Sequence, residues 1–396
     1  MTRATLLHSS SRLLILALAA AAGAVAGCDS PTSDGPAAPS STGPAIVARA
    51  SAAPEALAQP KVFATGFRFP RNFTWGPDGS LYVAEAGNGG TRSTSAKECE
   101  QVVPPVGPYT SGRTARISKV DQQGRRTTFA SGFPSTIAAI GDVNGVADVA
   151  FLGGQLYALV AGGGCSHGSR IPAQVAKVQS SGSWSLAFDL STYLRAHPAA
   201  HPEPDDFEPD GTWYSMIAVG DRLFAIEPNH GEAVVMRPAT STIRRVADVS
   251  ARLGHVVPTS LAQRNGVLYF GNLGVFPVVP RSEKIWRLGR DGAISLEARG
   301  FTTVLGLDFD GKGRMYVLET TQGAGFPTPG TGRVVRVNQD GSRQVVVKGL
   351  FFPTAMRFGP DGRLYISNKG FGPPQPGEIL RVDIPDGQPA AVAAAR

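Results

Sequence analysis

GPDGSLYVAE at 76–85 opens a pattern that returns five times: LGGQLYALV (152–160), VGDRLFAIE (219–227), RNGVLYFGN (264–272), GKGRMYVLE (311–319) and GPDGRLYISN (359–368). Each copy runs from a tight turn with Gly or Asp into an apolar residue and an aromatic: Tyr82, Tyr157, Phe224, Tyr269, Tyr316 or Tyr365. A short apolar run precedes each copy, as in Phe73-Thr74-Trp75 or Met356-Arg357-Phe358. An alternating stretch follows at a variable distance, as in ARISKVD (115–121), KIWRLGRDG (284–292), RVVRVNQDG (333–341) and EILRVDI (378–384). Most units then close on Gly plus an apolar residue: TTFASGF (127–133), LEARGF (296–301), VVVKGL (345–350). Alternation bounded by Gly/Asp turns is the mark of antiparallel strands, so the unit is a four-stranded meander. The aromatic anchors lie 75, 67, 45, 47 and 49 residues apart, and the last three spacings match one propeller blade.

The sixth unit has no fourth strand of its own, because the chain passes into a Pro/Ala tail after Ile384. KVFATGF (61–67) matches TTFASGF but has no unit before it. The sequence therefore predicts an all-β, six-bladed β-propeller over 61–386 whose N-terminal strand closes the last blade, leaving no long unpaired edge. Composition agrees: 48 Gly and 31 Pro in 396 residues suit many short strands and turns better than helices. Charged residues make up 17% and the net charge is +7, with no basic run or basic–aromatic stripe, so nucleic acid is not indicated. The chain is read as a monomer.

The N-terminus reads as an export signal over 1–27: Arg3 and Arg12, an apolar stretch from Leu13 to Ala22 too short to span a bilayer, then Val25-Ala26-Gly27-Cys28. The last four residues resemble a bacterial lipobox, in which the cysteine takes the lipid. An ordinary cut after Ala26 is the alternative. Residues 28–60, rich in Ser, Pro, Ala and Thr, read as a disordered tether, and 387–396 as a flexible tail. The expected location is extracytoplasmic: anchored to the cell membrane by lipid, periplasmic or secreted. Cys99 and Cys165 remain after lipidation, in the loops that follow the second strands of units one and two. In an exported protein a disulfide is the natural reading, with free thiols the alternative.

GPDGSLYVAEAGNGG, the paired Gly-rich loops with cysteines, and WYSMIAVGDRLFAIEPNHGE (213–232) resemble the ScyD/ScyE family of exported propellers, over roughly 61–386. More distantly the chain is similar to NHL-repeat, gluconolactonase-like and strictosidine-synthase-like six-bladed propellers. The family takes its name from gene clusters for scytonemin, a sunscreen pigment. The resemblance implies the fold and export rather than a reaction.

Three residues past each anchor aromatic stand Glu85, Val160, Glu227, Asn272, Glu319 and Asn368. The start of each inner strand gives a second ring that includes Asn72 and Asp148. Both rings are expected near the channel mouth on one face. Three carboxylates with amides are hard oxygen donors of the kind calcium takes, so Glu85, Glu227 and Glu319 are candidate metal ligands. Gluconolactonase-like propellers hold a metal with similar residue types near this place. Hydrogen bonding to loop amides, or water held by the ring, is the alternative use. His230, in EPNHGE beside Asn229, is a candidate general base oriented by a carboxylate. The fragment from Asp142 to Asp148 resembles part of a calcium loop, but turn formation is the favoured reading. Long loops gather on the same face, joined by 195–212 with His197, His201, Asp205, Asp206, Glu208 and Asp210.

No nucleophile elbow, Walker motif or zinc-type spacing occurs. The reading preferred from sequence is an exported, lipid-anchored module that binds a small molecule or protein on the elaborated face. The alternative is a metal-dependent hydrolase or lactonase at the channel mouth. A quinone-dependent sugar dehydrogenase ranks third, because only Arg71, His230 and Lys369 are available to grip such a cofactor.

Overall fold

The computed structural model describes residues 57–384. The signal peptide, Cys28, all but the last residues of the tether, and the tail lie outside the described residues. Six antiparallel sheets are arranged as the blades of a propeller. Blade 1 contains Pro70–Trp75, Leu81–Glu85, Thr110–Val120 and Arg126–Ile137, extended by the two-residue strand Val143–Asn144. Blade 2 is Val146–Leu152, Gln155–Val160, Gln174–Val178 and Trp184–Asp189. Blade 3 is Ser215–Val219, Arg222–Glu227, Glu232–Arg237 and Thr242–Asp248, and blade 4 is Pro258–Arg264, Val267–Asn272, Glu283–Leu288 and Ile294–Phe301. Blade 5 is Val304–Phe309, Met315–Glu319, Gly332–Val337 and Arg343–Leu350. Blade 6 is Ala355–Phe358, Leu364–Asn368, Pro376–Val382 and, from the other end of the chain, Lys61–Arg68.

The sequence motif has a physical basis at each turn. In GPDG-LY the Asp caps the turn, and its carboxylate also receives the phenol of the anchor tyrosine. Tyr365 Oη lies 2.9 Å from Asp361 and Tyr82 Oη 3.4 Å from Asp78; in blade 5, which lacks GPDG, Asp310 receives the Tyr316 phenol at 3.2 Å. The ring of that tyrosine then meets the aromatic that ends the inner strand of the next blade: Tyr82 with Phe151, Tyr269 with Phe309, Tyr316 with Phe358, and Tyr365 with Trp75 across the closure. All four pairs have centroids 4.8–5.2 Å apart. Such pairs contribute about 0.5–1.5 kcal/mol each beyond their buried area.

The Gly-apolar ending of the outer strand is a bulge. Gly300 has φ +85°, a conformation glycine adopts without the Cβ penalty, and the ladder slips one register there. The slip turns Phe301 inward, where it is 1% exposed. Phe67, Phe133 and Leu350 take the same place in blades 6, 1 and 5, each no more than 1% exposed.

Closure follows the sequence-based expectation. Lys61–Arg68 pairs antiparallel with Pro376–Val382, Lys61 opposite Arg381 and Arg68 opposite Pro376. The inner strands of blades 6 and 1 also pack together, completing the ring. Phe67→Ala removes the buried plug of the closing strand and is expected to cost about 3–5 kcal/mol. Denaturant unfolding checks this, and an unchanged midpoint contradicts the role assigned to the strand.

Candidate functional site

The second strand of each blade ends on the elaborated face, and its last side chain meets the connector arriving from the preceding blade. Glu85 accepts the main-chain N–H of Arg68 at 2.6 Å, and Glu319 that of Thr302 at 2.6 Å. Asn368 accepts that of Phe351 at 2.9 Å, and Glu227 that of Thr212 at 2.7 Å. In three of these four the donor directly follows the plug residue, at Phe67-Arg68, Phe301-Thr302 and Leu350-Phe351. Asn272 serves blade 4 with its other end, donating to Val256 O at 3.1 Å. The exception is Val160. The residue after its plug, Phe133, is Pro134, which has no N–H to offer. Pro134 does lie at this junction, since its carbonyl abuts Gly162.

The ring expected to face a common ligand is therefore a set of separate inter-blade clamps. Glu85, Glu227 and Glu319 are fully buried, and each has its own cationic partner. Glu85 faces Arg116 at 2.8 Å, Glu319 faces Arg333 at 2.5 Å, and Glu227 lies 3.3 Å from His230 Nδ1. Asn272 and Asn368 donate to Glu283 and Glu378 of their own blades. Among the described residues no three His, Cys, Asp or Glu side chains come together to hold a metal ion. Calcium does not fit these donors, because arginines and main-chain amides already occupy them. The Asp142–Asp148 fragment likewise forms the edge strand Val143–Asn144. Asp142 receives Val143 N and faces Arg71 at 3.7 Å, while Asp148 turns to other partners.

The channel is filled by side chains that reach across it. Tyr214, just before the inner strand of blade 3, donates its hydroxyl to Thr354 O of blade 6 at 2.7 Å. Asn72 of blade 1 donates to Ala147 O and Tyr214 O. Arg71 donates to Gly370 O at 2.9 Å and to Val143 O. Below them Arg357 of blade 6 reaches Asp148 of blade 2 at 3.4 Å. Asp148 also receives Met216 N at 2.8 Å and Ser215 Oγ at 3.2 Å. Burial pushes the Asp148 carboxyl up to about 6, although Arg357 and these donors pull it down. Asp308 is raised by burial too, against the opposing N–H of Phe358 and the charge of Arg357.

Over the mouth lies the 195–212 excursion, held by polar side chains. Asn229 accepts Glu208 N at 2.9 Å and donates to Asp205 O at 2.8 Å. Asp206 meets His255 at 2.8 Å, Asp210 meets Arg195 at 2.8 Å, and Glu208 receives Tyr109 Oη at 2.9 Å. Fully buried His167 directs Nε2 at Glu208, 3.5 Å away, and its Nδ1 at Gly163 O. His230, read from sequence as a candidate base beside a carboxylate, lies next to Glu227. Burial opposes its charge, but Glu227, helped by Asp206 and Glu232, outweighs it and pushes the imidazole up to about 9. Arg71 and Lys369 come near one another at blade 6, but Lys369 pairs with Glu378 at 3.0 Å and His230 belongs to blade 3. No quinone cradle forms from the three.

Cys99 and Cys165 are joined as a disulfide with Cα atoms 6.2 Å apart, tying the long loops of blades 1 and 2. Such a bond fits an oxidising, extracytoplasmic compartment. Among the described residues no helix is long and apolar enough to cross a membrane. Sequence reasoning missed Tyr109, His167, Tyr214 and Arg357, because nothing local marks a side chain whose partner lies on a distant blade.

No protein-family model matches the chain, and no curated protein matches it in sequence. Solved structures do match in fold. Regucalcin, a calcium-binding protein from Agrobacterium tumefaciens, aligns at a TM-score of 0.51 and 15% identity, over 83% of this chain and 94% of its own. A protein assigned as an oxidoreductase (glucose dehydrogenase) from Thermus thermophilus aligns at 0.50 and 15%, over 82% and 100%. One assigned as a gluconolactonase aligns at 0.50 and 13%, over 83% and 93%. The chain thus shares its six-bladed architecture with gluconolactonase- and regucalcin-like propellers.

The clamps set two expected outcomes. Glu319→Gln should destabilise by about 2–4 kcal/mol whether or not calcium is present, because it leaves Arg333 without its partner. Val160→Asn should cost about 1–3 kcal/mol, and adding Pro134→Ala should recover part of it by restoring an N–H. Urea unfolding of the single and double variants measures both. Removing the disulfide by Cys165→Ser opens a crosslink spanning 66 residues. The expected loss is about 4 kcal/mol in the chain-entropy account, read from the same curves.

Proposed function

We propose that this protein is an extracytoplasmic binding propeller, attached to a membrane through Cys28, that takes a small neutral or anionic polyhydroxy compound at the mouth of its channel. One observation carries the reading: Arg71, Asn72 and Tyr214 form a floor of hydrogen-bonding groups fixed by bonds to four different blades. The walls around it are stapled by the disulfide and by the anchored excursion. Groups held in place before a ligand arrives bind without an ordering cost. Glu85 and Glu319 nearby are paired with arginines and main-chain amides, which supports binding over chemistry at those positions.

A lactonase is the second reading, and the fold likeness to gluconolactonase- and regucalcin-like proteins favours it over other reactions. Both readings place a sugar acid or its lactone at the same mouth. Titration calorimetry with gluconate and glucono-lactone, with and without calcium or chelator, separates them. The binding reading expects saturable uptake that chelator leaves unchanged, intact lactone, and at least tenfold weaker binding by Tyr214→Phe. Lactone opening that chelator abolishes overturns it in favour of the hydrolase.

A further inference from the structure

The elaborated face carries an apolar patch that neither the channel nor the clamps explain. Val275, Phe276 and Val279, in the loop after the second strand of blade 4, are 46%, 48% and 60% exposed. Phe326, in the corresponding loop of blade 5, is 76% exposed. The two loops are one unit, because Val278 and Gly325 exchange main-chain hydrogen bonds of 2.6 and 3.0 Å. Val278 itself points inward and is buried. The blade 5 loop is braced from within: Thr321 Oγ1 receives Thr328 N at 2.8 Å, and Thr331 Oγ1 receives Gln322 N at 3.0 Å. Phe326 is thus held out into solvent by a bonded loop. Four large apolar side chains on one braced surface mark a contact site rather than scattered exposure.

Two further observations indicate what covers it. The first is charge. The carboxylate that follows the blade 4 loop, Glu283, is buried and bonded to Asn272 and Ser282. The loops 273–282 and 320–331 themselves hold no carboxylate, and Arg281, exposed beside the apolar tips, is their only charged side chain. The charge these loops carry is therefore positive. The second is the path of the chain. Ala58 N donates to Val346 O, in the outer strand of blade 5, at 2.8 Å. The described chain therefore enters the propeller beside the blade that carries Phe326.

We propose that the paired loops of blades 4 and 5 are a membrane-docking surface. Val275, Phe276, Val279 and Phe326 enter the headgroup–acyl boundary of an anionic bilayer, and Arg281 meets the lipid phosphates. Aromatic and aliphatic tips flanked by arginine are the chemistry of interfacial binding. Docking here would fix which way the channel mouth faces relative to the membrane. The proposal does not depend on what the mouth binds.

The test is sedimentation of the whole chain carrying Cys28→Ser, so that no lipid is attached, with vesicles of phosphatidylglycerol and phosphatidylethanolamine. Binding is expected, at least tenfold weaker on phosphatidylcholine vesicles. It should fall at least tenfold in Phe276→Ser/Phe326→Ser, and stay unchanged in Leu186→Ser/Leu296→Ser, which alters exposed leucines elsewhere. As a second measurement, Phe326→Trp should add fluorescence that shifts to the blue with anionic vesicles. Equal binding by the Phe276→Ser/Phe326→Ser variant overturns the proposal, as does emission from the Phe326→Trp chain that vesicles leave unshifted. So does capture of a protein through the patch with no vesicle binding.

Discussion

Everything in this ring depends on how one blade hands the chain to the next. A bulge turns an apolar residue inward, and the following main-chain N–H is left pointing into a dry interface. A buried N–H without an acceptor is costly, so the next blade supplies one from the end of its second strand. Glu85, Glu319 and Asn368 play that part at three junctions, and Glu227 and Asn272 adapt it where the connector is longer. Arginines from the third strands then balance buried Glu85 and Glu319. The commitment gives this ring of acidic and amide residues a role in joining blades.

The fold was legible because its signals are local. A Gly/Asp turn, an apolar–aromatic pair and a Gly-apolar ending each describe a few adjacent residues, and six copies reinforce one another. Even the closure by 61–67 could be read, since the orphan segment and the incomplete blade carry the same motif. The clamp positions were legible as a pattern but not as a role. The alternation of a strand gives the face a side chain leaves from, not whether it meets a neighbouring connector or an open channel. Val160 shows what the deciding signal was: the one apolar member of the series coincides with the one proline at the donor position. The floor of the channel was beyond local reading, because Tyr214 bonds across 140 residues and Arg357 across 209.

Those long-range contacts converge on the central channel. Solved propellers of the same architecture include proteins assigned to lactone and sugar chemistry, and at 13–15% identity the likeness is one of scaffold. In this chain the residues at the mouth are tied into the scaffold itself. A substitution at Arg71 or Asn72 therefore breaks bonds that run between blades.

The junction between blades 1 and 2 stands apart. It is where Pro134 and Val160 leave no side-chain clamp, and it is also where Cys99 and Cys165 join the overlying loops. A covalent weld thus sits over the joint that lacks the non-covalent one. Its formation requires an electron acceptor that the cytosol does not offer. With thiols kept reduced the ring is one fastening short, and an oxidising compartment completes it. The rigidity of the ring is thus set by its redox surroundings as well as by its sequence.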